Sequence, residues 1–361
     1  MSRKFKITNY AVTFVTTIAC TLFAVFFCSN KYALQIKDVV LYYLIGIVVS
    51  SLLCALLHEL GHLIFGKIAG FRLISFAFWF FKWERMGERL VFNLNFKIEE
   101  AGVTSMVKKN NKDIGMGLKR MTYGGLLFSL VSVLISLPAF ILDLQYWLHC
   151  ILACFLPVGA YFLVGNAIPS SEGGLRNDGG ILYGLKKGDD ETKVTLNILA
   201  IQTELLNGKT FSEIERELYF DLPQLPEDSM TFVSLLNLRY NYYVDTGDFE
   251  QAKKVIDRLL SLEEYIPKSM MKVIKADALY NACTFDFNSE KADELMYELE
   301  DCLDKDTSAT SYRIRLAYIN NVSKDEGIID KFYKRALSKA KKCQLSGLTK
   351  YETKLIKSIK D

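Results

Sequence analysis

Two of the three histidines in the sequence lie four residues apart, in His58-Glu59-Leu60-Gly61-His62. On a helix this spacing places both imidazole rings on one face, one turn apart, where both can bind the same Zn²⁺ ion. Glu59 then lies beside the first ligand, where a carboxylate can take a proton from an attacking water molecule and return it to a leaving amine. The pattern therefore predicts the metal centre of a hydrolase, with one zinc ion per chain.

The motif lies at the end of an apolar segment, directly after Ser51-Leu52-Leu53-Cys54-Ala55-Leu56-Leu57. A match of five residues also arises by chance, so the pattern alone does not establish a metal site. Ionisable side chains are costly within hydrocarbon, however, and those found there usually serve a function. The position of the motif therefore favours a functional site over coincidence.

A catalytic zinc ion needs a third protein ligand and an open position for water. His149 is the remaining histidine, but it is expected at the opposite end of its span and is predicted to be an interfacial side chain beside Trp147. The best candidate is Asp178, because Pro169 interrupts the preceding helix and two glycines follow, which lets the backbone bend towards the metal. The alternative for Asp178 is a plain turn, since Asn-Asp-Gly is a common turn sequence.

Four stretches are long and apolar enough to cross a bilayer, which takes about 20 helical residues. They are residues 10–28, 39–66, 121–142 and 146–164. The first follows a basic start, as a signal peptide does, but no small-residue cleavage site follows its long apolar core. It is therefore interpreted as a retained helix.

Charged residues in the connections predict the orientation of these spans. Eleven Lys and Arg residues lie in the connection 67–120, and none lies in the connection 143–145. Connections rich in Lys and Arg stay in the cytoplasm. The N-terminus, the long connection and everything after the fourth span are therefore expected on the cytoplasmic side of a cell membrane. The small size of the chain and its helical C-terminal region favour a bacterial cytoplasmic membrane.

The overall composition excludes some classes of protein. Half of the residues are apolar, and they are concentrated in the first half of the chain, so one soluble globule is a poor description. Lys and Arg exceed Asp and Glu by only three, which argues neither for nor against a nucleic-acid partner, and none is predicted. Eight cysteines occur without a C-x-x-C pair, so neither a disulfide framework nor a cysteine-based zinc site is indicated.

The connection after the zinc motif shows a hairpin pattern. Residues 72–81 are rich in aromatics, residues 84–88 with Gly87 have turn character, and residues 89–96 alternate apolar with polar. An exposed edge strand can pair with an extended peptide, so this hairpin is hypothesised to clamp a substrate by strand addition. The alternative is a hairpin that packs against lipid headgroups through Phe78, Trp79 and Phe80.

From about residue 189 the sequence is charged and has helical periodicity. Asp248 is a good helix start that follows Thr246-Gly247, and related patterns recur around Ala292 and, more faintly, Ile328. Helix pairs with a period of roughly 35–40 residues are typical of helical-repeat proteins. Residues 229–345 resemble degenerate tetratricopeptide repeats, with an ordinary helical bundle as the alternative.

The motifs of the first half resemble those of the site-2 protease family of intramembrane zinc metallopeptidases, over residues 10–187. The resemblance is carried by His58-Glu59-Leu60-Gly61-His62 in one span and by Asn166-Ala167-Ile168-Pro169 and Asp178-Gly179 at the end of another. It implies a re-entrant β-loop and three kinds of site residue: the zinc ligands His58, His62 and Asp178, the catalytic Glu59 and the substrate-binding Asn166. Residues 170–177 intervene before Asp178, unlike in many relatives, and Ser129 lies where relatives often carry Asn.

Together these patterns predict a mainly α protein with two domains. Residues 1–188 are expected to form a transmembrane helical core of about four spans with a membrane-associated β-hairpin, and residues 189–361 a soluble all-α, repeat-like cytoplasmic domain. The predicted function is hydrolysis of a peptide bond in or near the transmembrane segment of a membrane-inserted protein or peptide. The repeat-like domain is expected to offer a docking surface for a regulator or a substrate tail.

Two other functions remain open at this point. The zinc ion of a gluzincin-type membrane-anchored protease would take its third ligand from a downstream glutamate, here Glu84 or Glu88. A non-catalytic membrane scaffold would act through its helical repeats and would have no need of the general base Glu59.

Overall fold

The computed structural model describes residues 3–32, 36–94, 102–172 and 174–360. Contacts divide the chain into two compact units. The first comprises Met1–Glu84, Leu90–Val107 and Asp113–Asp189, and the second comprises Arg85–Arg89, Lys108–Lys112 and Asp190–Asp361. The assignment of residues 1–188 and 189–361 as separate domains stays a prediction.

The described part of the first unit holds seven helices: α1 (Arg3–Tyr32), α2 (Ile36–Ile68), α3 (Ile114–Leu134), α4 (Leu137–Ile141), α5 (Tyr146–Ala153), α6 (Phe155–Ala167) and α7 (Asp178–Lys187). Four helical segments are long and apolar enough to cross a membrane: Phe5–Lys31, Val40–Ile68, Ile114–Ile141 and Tyr146–Ala167. They correspond to the four predicted spans. Many of their large apolar side chains, such as Phe14 and Phe26, are exposed, which is compatible with a membrane protein.

Two spans differ in detail from the prediction. The third begins at Ile114 instead of residue 121, because the helix continues through Lys119 and Arg120, whose exposed long side chains can reach water from the end of a span. The fourth consists of two helices, α5 and α6, that meet at Cys154. Pro157 explains the break, because it has no N–H and its ring conflicts with the carbonyl group one turn earlier.

A four-stranded sheet lies in the connection between α2 and α3. It contains β1 (Phe71–Phe78), β2 (Phe81–Met86), β3 (Arg89–Leu94) and β4 (Gly102–Lys108) in the order β3-β2-β1-β4. The predicted single hairpin is wrong in detail, since the aromatic stretch turns back at Trp79-Phe80 and Phe78 pairs with Phe81. A second turn follows at Gly87. Residues 95 and 96, the end of the predicted second strand, lie outside the described residues.

His149 lies inside the helix bundle, and its predicted place at the membrane interface stays a prediction. Its side chain is fully buried in α5 and stacks on Phe27 of α1, with ring centroids 6.0 Å apart. Phe140 of α4 contacts the same ring edge-on. Aromatic neighbours on two helices therefore enclose an imidazole that the sequence placed at the interface.

From Asp190 onward, the described part of the second unit is mainly helical: α8 (Asp190–Leu206), α9 (Glu217–Phe220), α10 (Met230–Thr246), α11 (Phe249–Leu260), α12 (Lys268–Cys283), α13 (Ser289–Lys305), α14 (Ala309–Tyr318), α15 (Glu326–Ala340) and α16 (Ser346–Lys360). Gly247 ends α10 with φ 81°, and Asp248 caps α11 by accepting the N–H of Gln251. Ala252 and Ala292 are both fully buried, where small side chains allow helices to approach. The predicted helical content is confirmed, and the repeat assignment stays a prediction.

An ion pair lies in the interior of the second unit. Arg313 Nε donates to Glu352 Oε2 at 2.8 Å, and both side chains are buried. Burial raises the pKa of the nearby Asp277 carboxyl group to about 7, although the Arg313 charge acts in the opposite direction. Arg313 thus faces two carboxyl groups, one of which takes up a proton near neutral pH.

Candidate metal centre

Helix α2 carries His58, Glu59 and His62 in the part of the first unit where it packs against α3 and α6. The two imidazole rings are one helical turn apart, with centroids separated by 4.7 Å and planes nearly perpendicular. Their Nε2 atoms are 3.2 Å apart. The His58 side chain is 8% exposed and that of His62 is 12% exposed, so the predicted spacing brings the two rings together in a largely buried position.

Asp178 is the first residue of α7 and is 8% exposed. Its Oδ2 atom lies 3.5 Å from His58 Nε2 and 3.3 Å from His62 Nε2. The preceding residue fixes this position, because Asn177 Nδ2 donates to the carbonyl groups of Gly165 and Ile168 at the end of α6. Asn177 Oδ1 also accepts the N–H of Gly180, which caps α7.

The three ligand atoms form a triangle that fits one metal ion. Its sides are 3.2, 3.3 and 3.5 Å. A tetrahedron with metal–ligand bonds of about 2.0–2.1 Å has edges of about 3.3–3.4 Å. Among the described residues, Asp178 Oδ2 is buried without a hydrogen-bond partner. His58, His62 and Asp178 can therefore hold a metal ion together.

The other nitrogen of each imidazole is fixed by a hydrogen bond to a residue of α3. His62 Nδ1 lies 3.0 Å from the Met121 carbonyl oxygen, and His58 Nδ1 lies 2.8 Å from Ser129 Oγ. Because a carbonyl oxygen only accepts, His62 Nδ1 carries the proton, and the lone pair of Nε2 is directed towards Asp178. Partners of this kind set the tautomer and the ring orientation of metal-binding histidines.

Close packing of α2 on α3 brings these partners within reach. A Cβ atom added at Gly61 would lie 2.2 Å from the Gly124 carbonyl oxygen, so the two backbones touch at this point. A Cβ atom added at Gly125 would lie 2.3 Å from His62 Nε2. Only glycine fits at either contact. The His62 ring and the α2 backbone at Gly61 therefore contact the backbone of α3 directly.

Glu59 lies outside the three-ligand group and faces strand β4. Thr104 Oγ1 lies within hydrogen-bonding distance of the Glu59 carboxylate and of its main-chain carbonyl oxygen, at 2.5 and 3.2 Å. Gly102 approaches so closely that an added Cβ atom would lie 2.8 Å from Glu59 Oε1. Since β4 is an edge of the sheet, with β1 as its one strand neighbour among the described strands, the carboxylate lies beside a sheet edge.

Asn166 lies one residue before the end of α6 and is half-buried. Its Nδ2 atom donates to the Phe162 carbonyl oxygen in its own helix, at 2.9 Å. Its main-chain oxygen lies under the start of α7, 2.9 Å from where a Cβ atom of Gly179 would be. The structure therefore brings Asn166 next to the segment that carries Asp178 but does not bring its side chain into the metal-ligand group.

The remaining candidates lie elsewhere. Glu84 Oε2 is 3.3 Å from Lys82 Nζ on the same strand, and among the described residues neither Glu84 nor Glu88 joins the metal-ligand group. His149 is outside that group as well. Asp178 is thus the described carboxylate that completes the pair of histidines.

Sequence reasoning missed two residues that contact the site. Ser129 was noted only as a departure from the pattern of relatives, whereas its hydroxyl group lies within hydrogen-bonding distance of His58 Nδ1. Thr104 belongs to a strand that was not predicted, although its neighbours Val103 and Val107 give the segment β-branched character. Comparison with protein-family models, curated proteins and solved structures gives no match for this chain.

Proposed function

We propose that the chain is an intramembrane zinc metalloprotease of the site-2 protease type. The observation that carries the proposal is the triangle of His58, His62 and Asp178 ligand atoms, which has tetrahedral spacing. Two of these ligands and the adjacent Glu59 lie within an apolar helix long enough to span a membrane. Two imidazole nitrogens and one carboxylate oxygen form a ligand set that suits zinc and leaves a position open. The resemblance of the motifs to the site-2 protease family supports the same reaction.

His58, His62 and Asp178 would hold the zinc ion, which when bound supplies a Lewis acid that polarises the scissile carbonyl group and acidifies water. Glu59 accepts a proton from the attacking water molecule while the water oxygen forms a bond to the carbonyl carbon of the substrate. The same carboxylic acid then donates that proton to the amide nitrogen as the C–N bond breaks. Thr104 keeps the Glu59 carboxylate oriented for both transfers.

The substrate is proposed to be a membrane-inserted protein or peptide that is cut in an extended conformation. A helix hides its carbonyl groups in its own hydrogen bonds, so the bond to be cut must first be unwound. The edge of β4 beside Glu59 offers main-chain groups for strand addition. The proposed clamp is therefore strand β4 and not the predicted hairpin. Unchanged cleavage by Ser105→Pro would refute strand addition to β4.

The decisive experiment compares Glu59→Gln with the full-length native protein in a membrane. The variant is expected to keep one zinc ion per chain and to lose hydrolysis, because glutamine has the shape of glutamate but cannot carry the proton. Mass spectrometry of membrane peptides from cells with either form would identify the products. Glu84→Gln is the matched control and should leave both properties unchanged.

Metal content of alanine variants distinguishes the gluzincin alternative. Asp178→Ala is expected to lose zinc, whereas Glu84→Ala is expected to retain it. The reverse result would favour a glutamate ligand over Asp178. Full hydrolysis by Glu59→Gln would end the proposal of a glutamate-assisted protease.

A further inference from the structure

Two asparagine side chains meet at the C-terminal end of α6. Asn9 Nδ2 of α1 donates to the carbonyl oxygens of Gly165 and Ile168, at 2.8 and 2.7 Å. Asn177 Nδ2 donates to the same two oxygens, at 2.7 and 2.8 Å. An amide NH₂ group has two protons to donate and a carbonyl oxygen has two lone pairs, so these hydrogen bonds satisfy both oxygens. A residue of the first helix thus shares its acceptors with the residue that precedes Asp178.

Pro169 explains why the end of α6 needs donors from outside the helix. In a continuous helix the Gly165 carbonyl oxygen would accept the N–H of residue 169, but that residue is a proline and has no N–H. Ile168 is extended, with ψ 124°, so its carbonyl oxygen lies beyond the hydrogen bonds of the helix. A carbonyl group without a donor in apolar surroundings costs free energy. The two asparagines therefore supply hydrogen bonds that α6 cannot make by itself.

Asn9 is a buried polar residue in an apolar helix. It lies in the candidate span Phe5–Lys31 and is 6% exposed, whereas Ile7 and Tyr10 on either side of it are exposed. Thr13, one turn later and also buried, donates to Asn9 Oδ1 at 3.5 Å. Polar side chains are costly within a span, and those found there usually serve a function. The amide group of Asn9 is thus directed into the unit, towards the end of α6.

The end of α6 and the start of α7 are closely joined. Asn177 is bound to α6 through its Nδ2 atom, and its Oδ1 atom accepts the N–H of Gly180 in α7. A Cβ atom added at Gly179 would lie 2.2 Å from the Ala167 carbonyl oxygen, so the backbones of the two helices touch. Asp178 lies between Asn177 and Gly179. A displacement of the α6 end is therefore transmitted to the Asp178 carboxylate.

Of the three proposed metal ligands, Asp178 is the one that depends on this contact. His58 and His62 both belong to α2, and their rings are held by Ser129 and Met121 of α3. Asp178 Oδ2 lies 3.5 and 3.3 Å from the two imidazole Nε2 atoms. Because these distances already match a tetrahedral site, movement of the α6 end relative to α2 would separate the carboxylate from the imidazoles.

We propose that Asn9 is a positioning residue of the metal centre. Its amide group satisfies the end of α6 and so fixes Asn177, and through Asn177 it holds the Asp178 carboxylate at the distance from the two histidines that a zinc ion requires. The first helix then contributes to metal binding although it carries none of the proposed ligands. This inference rests on the metal-binding part of the proposed function.

Helix α1 is held in the bundle by other contacts as well. Ala24 is 1% exposed and packs against Ala139 and Ala153 of α4 and α5. It lies about 22 Å from Asn9 along the helix axis. Loss of the Asn9 amide group is therefore expected to release the end of α6 while α1 stays in place.

The test measures metal binding by the full-length protein in phosphatidylcholine vesicles. Asn9→Ala removes both N–H donors, and Asn9→Leu removes them but fills the space, so an effect common to both variants is not due to a cavity. Each variant is expected to bind zinc about tenfold more weakly in competition with a chromogenic chelator, the lower end of the effect of losing a partner of a metal ligand. The visible absorption of the cobalt(II)-loaded protein should change as well, because this absorption reports the ligand geometry.

Two variants of the same helix are controls. Thr21→Val removes a hydroxyl group that donates to the Thr17 carbonyl oxygen within α1, and it should bind zinc like the native protein. Ala24→Val overpacks α1 against α4 and α5, so it should lower the melting temperature without changing zinc affinity or the cobalt spectrum. Native zinc affinity in either folded Asn9 variant would overturn the proposal, and so would an equal loss of affinity in Ala24→Val.

A double variant tests the route from Asn9 to the metal centre. Asn177→Ala already disconnects Asp178 from the end of α6, so Asn9→Ala should weaken zinc binding little further in that background. Residues that act through shared partners show such non-additive effects, whereas independent sites give additive ones. Full additivity of the two substitutions would overturn the proposed route.

These measurements need no hydrolysis, so they separate this inference from the proposed function. If the native protein binds zinc and the Asn9 variants bind it more weakly, but no membrane peptide is cut, the protease proposal fails and the role of Asn9 stands. If the native protein cuts membrane peptides and the Asn9 variants keep native zinc affinity, the role of Asn9 fails and the protease proposal stands.

Discussion

Gly125→Ala is expected to disable the metal centre through a single methyl group. The added Cβ atom would lie 2.3 Å from His62 Nε2 and 2.4 Å from Cε1. Ordinary contact between such atoms needs about 3.5 Å, so the ring must move by about 1.2 Å. Helix α2 cannot retreat easily as a whole, because it already touches the α3 backbone at Gly61 and Gly124.

The expected magnitude follows from this displacement. A zinc–nitrogen bond of about 2.0–2.1 Å does not survive a shift of about 1.2 Å, so the site keeps two of its three protein ligands. Loss of a hydrogen-bond partner of a ligand already weakens metal binding about 10–100-fold. Displacement of the ligand itself should therefore weaken zinc binding by more than about 100-fold.

Zinc affinity of the purified full-length protein is measured by competition with a chromogenic chelator, and zinc content by mass spectrometry. Gly165→Ala is the matched control, since its added Cβ atom would lie 3.6 Å from Thr13, an ordinary contact. Circular dichroism and size-exclusion chromatography verify that both variants fold. Native zinc affinity in Gly125→Ala would refute the described arrangement of the two imidazole rings.

Three other predictions concern the neighbours of the site and the second unit. Ser129→Ala should weaken zinc binding about 10–100-fold in the chelator assay, whereas Ser132→Ala on the same helix should not. Equal effects of the two variants would contradict a specific contact between Ser129 and His58. Thr104→Val should lower kcat and leave zinc content unchanged, because only the orientation of Glu59 is lost; unchanged kcat would contradict this role. Because the pKa of Asp277 is raised to about 7 by burial, the native protein binds this proton more tightly than the unfolded chain does, so its contribution to stability is present at low pH and is lost as the pH rises to about 7. In Asp277→Asn the stability should decline less with rising pH, as measured by hydrogen exchange of the α12 amides. An unchanged pH dependence in this variant would contradict the role of Asp277.

Local sequence patterns were sufficient for the parts of the site that depend on one helix. The spacing of His58 and His62 follows from helical periodicity alone, and the apolar segments could be identified from length and composition. The start of α11 could also be predicted from neighbouring residues alone, because Asp248 caps the helix by accepting the N–H of Gln251. These features need no knowledge of which elements pack together.

Features that depend on packing could not be predicted in the same way. Ser129 lies 71 residues after His58 in the sequence, and it reaches the ring only because Gly61 and Gly124 allow two backbones to touch. Thr104 meets Glu59 through the fourth strand of a sheet whose order was unknown. His149 was placed at the interface by its position at the end of a span, whereas its burial depends on aromatic neighbours from other helices.

The hydrogen bonds of Asn177 bear on how this protein can change in evolution. Ser171–Glu172 and Leu175–Arg176 pair as two short antiparallel strands that form an excursion between Ser170 and Asn177. Its ends are joined, because Ser170 N–H donates to Asn177 Oδ1 and Asn177 N–H donates to the Ser170 carbonyl oxygen. The two ends of the excursion are thus fastened to each other and to α6. Insertions or deletions at its tip, near Gly174, can alter its length without moving Asp178, so the segment can diverge freely among related chains and accept an epitope tag.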